Sequence, residues 1–180
     1  MKLIATEIEG LLIIEPTIFG DERGYFYESF RDDVLKEAGV KEDFVQDNQS
    51  YSHKGILRGL HYQENPYAQG KLVRVLQGAV LDVAVDIRKN SKTYGKHVSI
   101  RLDAEDKKMF YIPTGFAHGF LTLEDNTLFL YKCTKYYNKK SEGAIRWNSP
   151  SLHIPWGIDN PLLSEKDKEA PAFTDFVSPF

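Results

Sequence analysis

Apolar residues recur along this chain in short runs broken by glycine, proline and acidic residues, and no helical period persists over several turns. Residues 10–18 and 24–30 read as two strands joined through "GDERG". Residues 71–76 and 79–87 are rich in Val and Leu and flank Gln77-Gly78, which predicts a hairpin. Residues 56–63, 96–102, 108–112, 119–123 and 127–134 predict further strands. One helix is predicted in "DDVLKEAG". Asp32 or Asp33 can cap it, Val34, Leu35 and Ala38 share a face, and Gly39 can end it in the left-handed conformation. From Tyr136 onward, five prolines and two tryptophans predict an irregular segment. Short strands at roughly ten-residue spacing predict a mainly β sandwich or barrel with a few short peripheral helices. No composition break divides it, so residues 1–180 read as a single domain.

Composition narrows the class. A chain of 180 residues can bury roughly two thirds of its unfolded surface. The net charge of −3 is mixed in sign, which offers no basic field to nucleic acid. No apolar run reaches the ~18 residues of a membrane span, and "MKLIATEIEG" lacks a signal-peptide core. Cys133 is the single cysteine, so no internal disulfide forms, which fits a cytoplasmic protein.

Five histidines carry the first chemical hints. His61 in "RGLHY" and His118 in "GFAHGF" lie among glycines and apolar residues, where hydrogen-bonded packing and a shared site are both open readings. The chain has no H-x-H pair, and residue 63 is Gln, so the spacing does not support a metal site. Asp82 sits inside the apolar "LDVAVDI" and must find a partner: an Arg, backbone N–H groups, His118 or His61. Tyr131 in "LFLYKC" shares a strand face with Phe129 and Cys133, either as a core tyrosine or as a general acid at a barrel mouth. Arg58 and Lys71 are cations beside apolar strands, suited to a phosphate or an oxyanion. In a regular strand Arg58 and His61 would face opposite ways. A bend at Gly59 would bring both to one pocket. Ser164 with Asp167 three places on is a capping-box pattern.

Taken together, "FGDERGYFYESF", "FVQDNQSYS", "LRGLHYQ", "QGKLVRV", "DVAVDIRKNS", "IPTGFAHGF", "FLYKCT", "SEGAIRWN" and "LSEKD" closely resemble the dTDP-4-dehydrorhamnose 3,5-epimerase family. The resemblance spans about residues 3 to 170. It implies a cupin, or jelly-roll, β-barrel and an isomerase of dTDP-L-rhamnose synthesis, which supplies lipopolysaccharide or cell-wall polysaccharide. The implied reaction inverts C3 and C5 of dTDP-4-dehydro-6-deoxy-D-glucose, with no metal or other cofactor. A mono-epimerase that inverts only one carbon of a related nucleotide 4-keto-sugar is the alternative, because such enzymes share the fold, the base and the acid.

The resemblance also implies roles. His61 matches the base that takes the proton beside the 4-keto group, and Asp167 the carboxylate that hydrogen-bonds it, against the capping-box reading. Tyr131 matches the acid on the opposite face of the sugar, and Lys71 the cation near the keto oxygen. Arg23, Glu28, Gln46, Asp47, Asn48, Arg58, His118, Glu142 and Lys166 match substrate contacts. Asp82 matches an inward acid near His118, and Phe19, Phe26 and Tyr136 match aromatics around the nucleotide base. A nearby cation is expected to lower the pKa of the tyrosine acid. The implied partners are the dTDP-keto-sugar and a second copy of the chain in a homodimer. The apolar strand over residues 11–14 would make a poor exposed edge, which is consistent with such pairing.

Overall fold

The computed structural model describes all 180 residues, Met1–Phe180. Its strands are β1 (Lys2–Ala5), β2 (Leu12–Glu15), β3 (Phe19–Asp21), β4 (Gly24–Phe26), β5 (Gln46–Ser52), β6 (Leu57–Gln63) and β7 (Lys71–Gln77). They continue with β8 (Ala79–Asp86), β9 (His97–Asp103), β10 (Met109–Ile112), β11 (Phe116–Thr122), β12 (Thr127–Cys133) and β13 (Glu142–Ala144). Two short α-helices are α1 (Asp32–Glu37) and α2 (Glu165–Glu169). Six strands form one sheet in the order β1-β2-β10-β7-β12-β5, five form a second in the order β13-β6-β11-β8-β9, and β3-β4 stands apart as a hairpin.

Side-chain alternation places Val73, Val75, Phe110 and Phe129 of the first sheet against Val80, Ala84 and Phe120 of the second. The outer faces are also covered. Trp147, Leu152 and Trp156 of the C-terminal segment pack on Val83, Val85 and Leu121. Leu35 of α1 packs with Leu72, Met109 and Tyr111 on the other side. Burial on both faces explains why β8 reads as a nearly continuous apolar run. This is the mainly β, cupin-like double sheet with few short helices that the resemblance implied.

Three expectations need correction. The predicted 71–76/79–87 hairpin does not exist: β7 lies in the first sheet and β8 in the second. The chain changes sheets at Gly78, whose φ is +77°, and a Cβ there would stand 3.1 Å from the Cα of Thr127. The strand expected over 10–18 covers only Leu12–Glu15 and stops at Pro16, because a proline cannot donate to the ladder. Neither Asp32 nor Asp33 caps α1: the N-cap is Arg31, without a side-chain cap bond. Gly39 does adopt the left-handed conformation at the helix end, with φ +92°.

Candidate active site

The largest cavity, about 730 Å³, opens between the sheets at one end. His61 and Arg58 both line it. In the β6–β11 pairing His61 faces His118 and Arg58 faces Phe120, so two residues, Gly59 and Leu60, oppose Gly119 alone. This β-bulge turns both side chains to one face, as the sequence suggested. Gly59 has φ +133°, and a Cβ on it would lie 2.5 Å from the Cα of Gly119.

Asp167 reaches His61 from the C-terminal segment. Leu57 N–H donates to the carbonyl of Leu162 at 3.0 Å, and Leu162 N–H donates to that of Gly55 at 2.9 Å. These bonds stitch the segment to the start of β6, and α2 follows directly. Ser164 Oγ accepts from Asp167 N–H at 3.2 Å and donates to Asp167 Oδ2 at 2.8 Å. The other oxygen, Oδ1, lies 2.5 Å from His61 Nε2. The capping pattern and the histidine partnership therefore coexist, because each uses a different oxygen. Burial works to raise the Asp167 pKa, but the hydrogen bonds of His61 and Ser164 and the charges of His61 and Lys166 outweigh it and hold the carboxyl below its usual range.

Opposite these, alternation on β12 turns Tyr131 inward with Phe129 and Cys133, and on β7 turns Lys71 inward with Val73. The Lys71 ammonium lies 5.9 Å from the centre of the Tyr131 ring. Burial pushes Lys71 below the ordinary lysine value. Burial also raises Tyr131, against the smaller downward pulls of Asn48 and Arg58, which corrects the expectation that a cation would dominate. His118 donates through Nε2 to both oxygens of Asp82 at 3.0 and 2.9 Å, so His118 is the partner this buried acid required. Burial pushes the His118 pKa down against the pull of Asp82.

The cavity gathers His61, Lys71, Tyr131, Asp167, Gln46, Asn48, Arg58 and His118. Its lining carries two cations, Arg58 and Lys71, against the single carboxylate of Asp167, which suits an anionic ligand. Glu142 lines a smaller adjoining pocket with His61, Lys71 and Tyr131, and forms an ion pair with Lys166. Asp82 stands behind His118. Asp47 points to the opposite face of β5 from Gln46 and Asn48 and pairs with Lys132 at 3.0 Å. Phe19, Arg23 and Phe26 belong to the exposed β3-β4 hairpin, away from the cavity, and Glu28 follows it beside Arg31 at 3.6 Å. Tyr136 is exposed, whereas its neighbour Tyr137 lines the cavity. Sequence reasoning passed over Tyr137, Phe120, Ser50, Leu162 and Leu163. No cluster of three or more His, Cys, Asp or Glu side chains is arranged to grip a metal ion.

Known proteins of similar sequence and shape bear on this arrangement. The family model described as dTDP-4-dehydrorhamnose 3,5-epimerase matches residues 5–175. The dTDP-4-dehydrorhamnose 3,5-epimerase of Shigella flexneri is 56% identical over 176 residues, covering 97% of each chain. The crystal structure of the enzyme of that name from Elizabethkingia anophelis superposes with a TM-score of 0.93 at 52% identity, covering 97% of both chains. That of the dTDP-6-deoxy-D-glucose-3,5-epimerase from Legionella pneumophila, in complex with dTDP-4-keto-L-rhamnose, superposes at 0.94 with 50% identity, over 98% of this chain and 94% of that one.

Proposed function

This chain belongs to the dTDP-4-dehydrorhamnose 3,5-epimerase family, and on that premise we propose how its side chains divide the chemistry. The protein is an isomerase that epimerises a dTDP-4-keto-6-deoxyhexose at C3 and C5. His61 is the base. With Nε2 engaged by Asp167, its Nδ1 is left to take the proton from the carbon beside the ketone. Lys71 stands near the keto oxygen and stabilises the enolate that forms. Tyr131, across the cavity, returns a proton to the opposite face. Burial keeps that phenol protonated and hence competent as an acid. Arg58, Gln46, Asn48 and His118 hold the sugar and its diphosphate, and Arg58 suits the phosphates as a planar multiple donor. Glu142 and Lys166, as an ion pair beside the adjoining pocket, border the same ligand.

The observation that carries this reading is one cavity lined by a carboxylate-bound imidazole and by a phenol beside an ammonium. Incubation with the keto-sugar in deuterated water tests it. Deuterium at both C3 and C5, with net inversion at each, is expected; exchange at one carbon alone would make this chain a mono-epimerase. Loss of both exchange and turnover in His61→Ala, with dTDP binding retained, is expected as well.

The working unit is a homodimer. Phe19 and Phe26, 61% and 66% exposed, flank Arg23 on a hairpin outside this chain's own cavity. Aromatic and guanidinium groups presented in that way suit the nucleotide of a neighbouring copy's site, and Glu28 extends the same surface. Sedimentation of the purified protein as a monomer at working concentration would overturn the dimer. No helix is long and apolar enough to cross a membrane, and the one cysteine is buried and free, as a cytoplasmic enzyme would have it.

A further inference from the structure

Tyr131 must present its O–H, not its lone pairs, to the sugar carbon. A phenol can rotate that proton toward any acceptor nearby, so something must fix it. Directly across the β5–β12 ladder, Asn48 faces Tyr131 and Gln46 faces Cys133. Cross-strand partners of this kind stand close enough for their side chains to touch. The three cavity-facing groups are linked in one direction. The backbone N–H of Tyr137 donates to Gln46 Oε1 at 2.9 Å. Gln46 Nε2 then donates to Asn48 Oδ1 at 2.9 Å. Asn48 Nδ2, left facing β12, points at Cys133 Sγ at 3.6 Å. The chain cannot run backwards, because a backbone N–H only donates and so faces the oxygen of Gln46. That choice fixes the nitrogen of Gln46, hence the oxygen and the nitrogen of Asn48 in turn. Tyr137 is itself anchored by its hydroxyl, which donates to Glu142 Oε2 at 3.0 Å.

We propose that Gln46 and Asn48 are positioning residues for the acid: their amides, oriented from the Tyr137 backbone, turn an N–H toward the Tyr131 oxygen and so leave its proton aimed into the cavity. The inference rests on Tyr131 being the acid, as proposed above. In the transfer the phenolic O–H bond breaks and a C–H bond forms on the enolate carbon. The electron pair stays on the phenolic oxygen, where the Asn48 N–H meets it. The downward pull of Asn48 on the Tyr131 pKa has the same sign. Neither amide need touch the reacting carbon.

Gln46→Glu tests the relay. The new carboxylate still accepts from Tyr137 N–H but cannot donate, so the Asn48 amide turns over and offers its oxygen to the phenol. Tyr131 then donates to Asn48 and not to the sugar. Asn48→Asp should act in the same way, and it reads the relay if the first variant folds poorly. Folding of each is checked by circular dichroism and thermal unfolding. The ratio of solvent deuterium exchange to net inversion is the readout, with Tyr131→Phe measured alongside. We expect that ratio to rise about tenfold in both relay variants, toward the value for Tyr131→Phe. A ratio unchanged from wild type, with only KM raised, would make Gln46 and Asn48 plain substrate contacts and overturn the relay. If Tyr131→Phe itself leaves the ratio unchanged, the phenol is not the acid and the reading above fails first.

Discussion

The Nε2 atom of His61 lies 2.5 Å from Oδ1 of Asp167, whose second oxygen accepts from Ser164 Oγ at 2.8 Å. The carboxylate is 2% exposed, and α2 fixes its backbone through the Ser164 cap. A short helical turn thus serves as a bracket for one side chain, which fixes one nitrogen of an imidazole that lines the cavity.

Asp167→Asn should keep the bracket and spoil the orientation. An amide can turn its N–H toward Nε2, which favours the tautomer whose Nδ1 already carries hydrogen and cannot act as a base. We expect kcat to fall roughly 10²–10³-fold with dTDP affinity nearly unchanged. Ser164→Ala removes one bond to the carboxylate and the cap, and should cost far less, about tenfold in kcat. Steady-state kinetics beside calorimetric titration with dTDP check both.

Lys71 gives the pH profile a direction. Burial lowers its pKa from 10.5, so the ammonium that stabilises the enolate is present below that lowered value and is lost as pH rises through it. Activity should therefore fall on an alkaline limb that begins below 10.5. Lys71→Arg, which stays charged, should move the limb upward whatever it does to the maximum rate. Lys71→Met should reduce kcat roughly 10²–10³-fold and abolish that limb.

Strands with a packed inner face were legible in the sequence, because Val, Leu and Phe mark them. β5 was not. Its inward residues, Gln46, Asn48, Ser50 and Ser52, line or border a polar cavity, and its outward ones, such as Asp47 and Tyr51, meet solvent, so "QDNQSYS" carries no apolar period at all. The strand richest in site residues was therefore the least visible. The β7–β8 hairpin failed for the opposite reason: two apolar strands around Gln-Gly fit a hairpin and a sheet-to-sheet corner equally well, and in the structure the chain turns the corner at Gly78, close against Thr127. The cavity's base and acid could be suspected from His61 and Tyr131. The reach of Asp167 was legible only through the family resemblance, since its own pattern reads as a helix cap and the contact depends on the Leu162 bridge beside β6.

Gly59→Ala should be severe for a geometric reason. The residue has φ +133°, and the added methyl would stand 2.5 Å from the Cα of Gly119 and 3.0 Å from the His118 carbonyl oxygen, both backbone atoms that cannot yield cheaply. Flattening the bulge would return Arg58 and His61 to opposite faces of β6. A loss of roughly 2–4 kcal/mol in urea unfolding is expected, together with an activity loss in the protein that remains folded.

Asp86 makes a prediction for stability away from the cavity. It is fully buried. Its Oδ1 accepts from Arg88 N and Nε at 3.0 and 2.9 Å, and its Oδ2 accepts from Arg88 Nη2, Ser91 and Thr93 at 2.7, 2.6 and 2.6 Å. Burial alone would raise this carboxyl, but the five bonds outweigh it and hold the pKa at about 2, against 3.8 in the unfolded chain. A depressed folded pKa stabilises the native state above the unfolded value and ceases to do so as pH falls through the folded one. The difference is worth about 2 kcal/mol. Asp86→Asn keeps the shape of the side chain but not its charge, so it should unfold more easily by about 2 kcal/mol at about pH 6. That gap should narrow as pH drops from 3.8 and largely close near 2. Urea unfolding of both proteins across this acid range reads the gap directly. A gap constant with pH would mean that the loop needs only the shape of Asp86 and takes nothing from its charge.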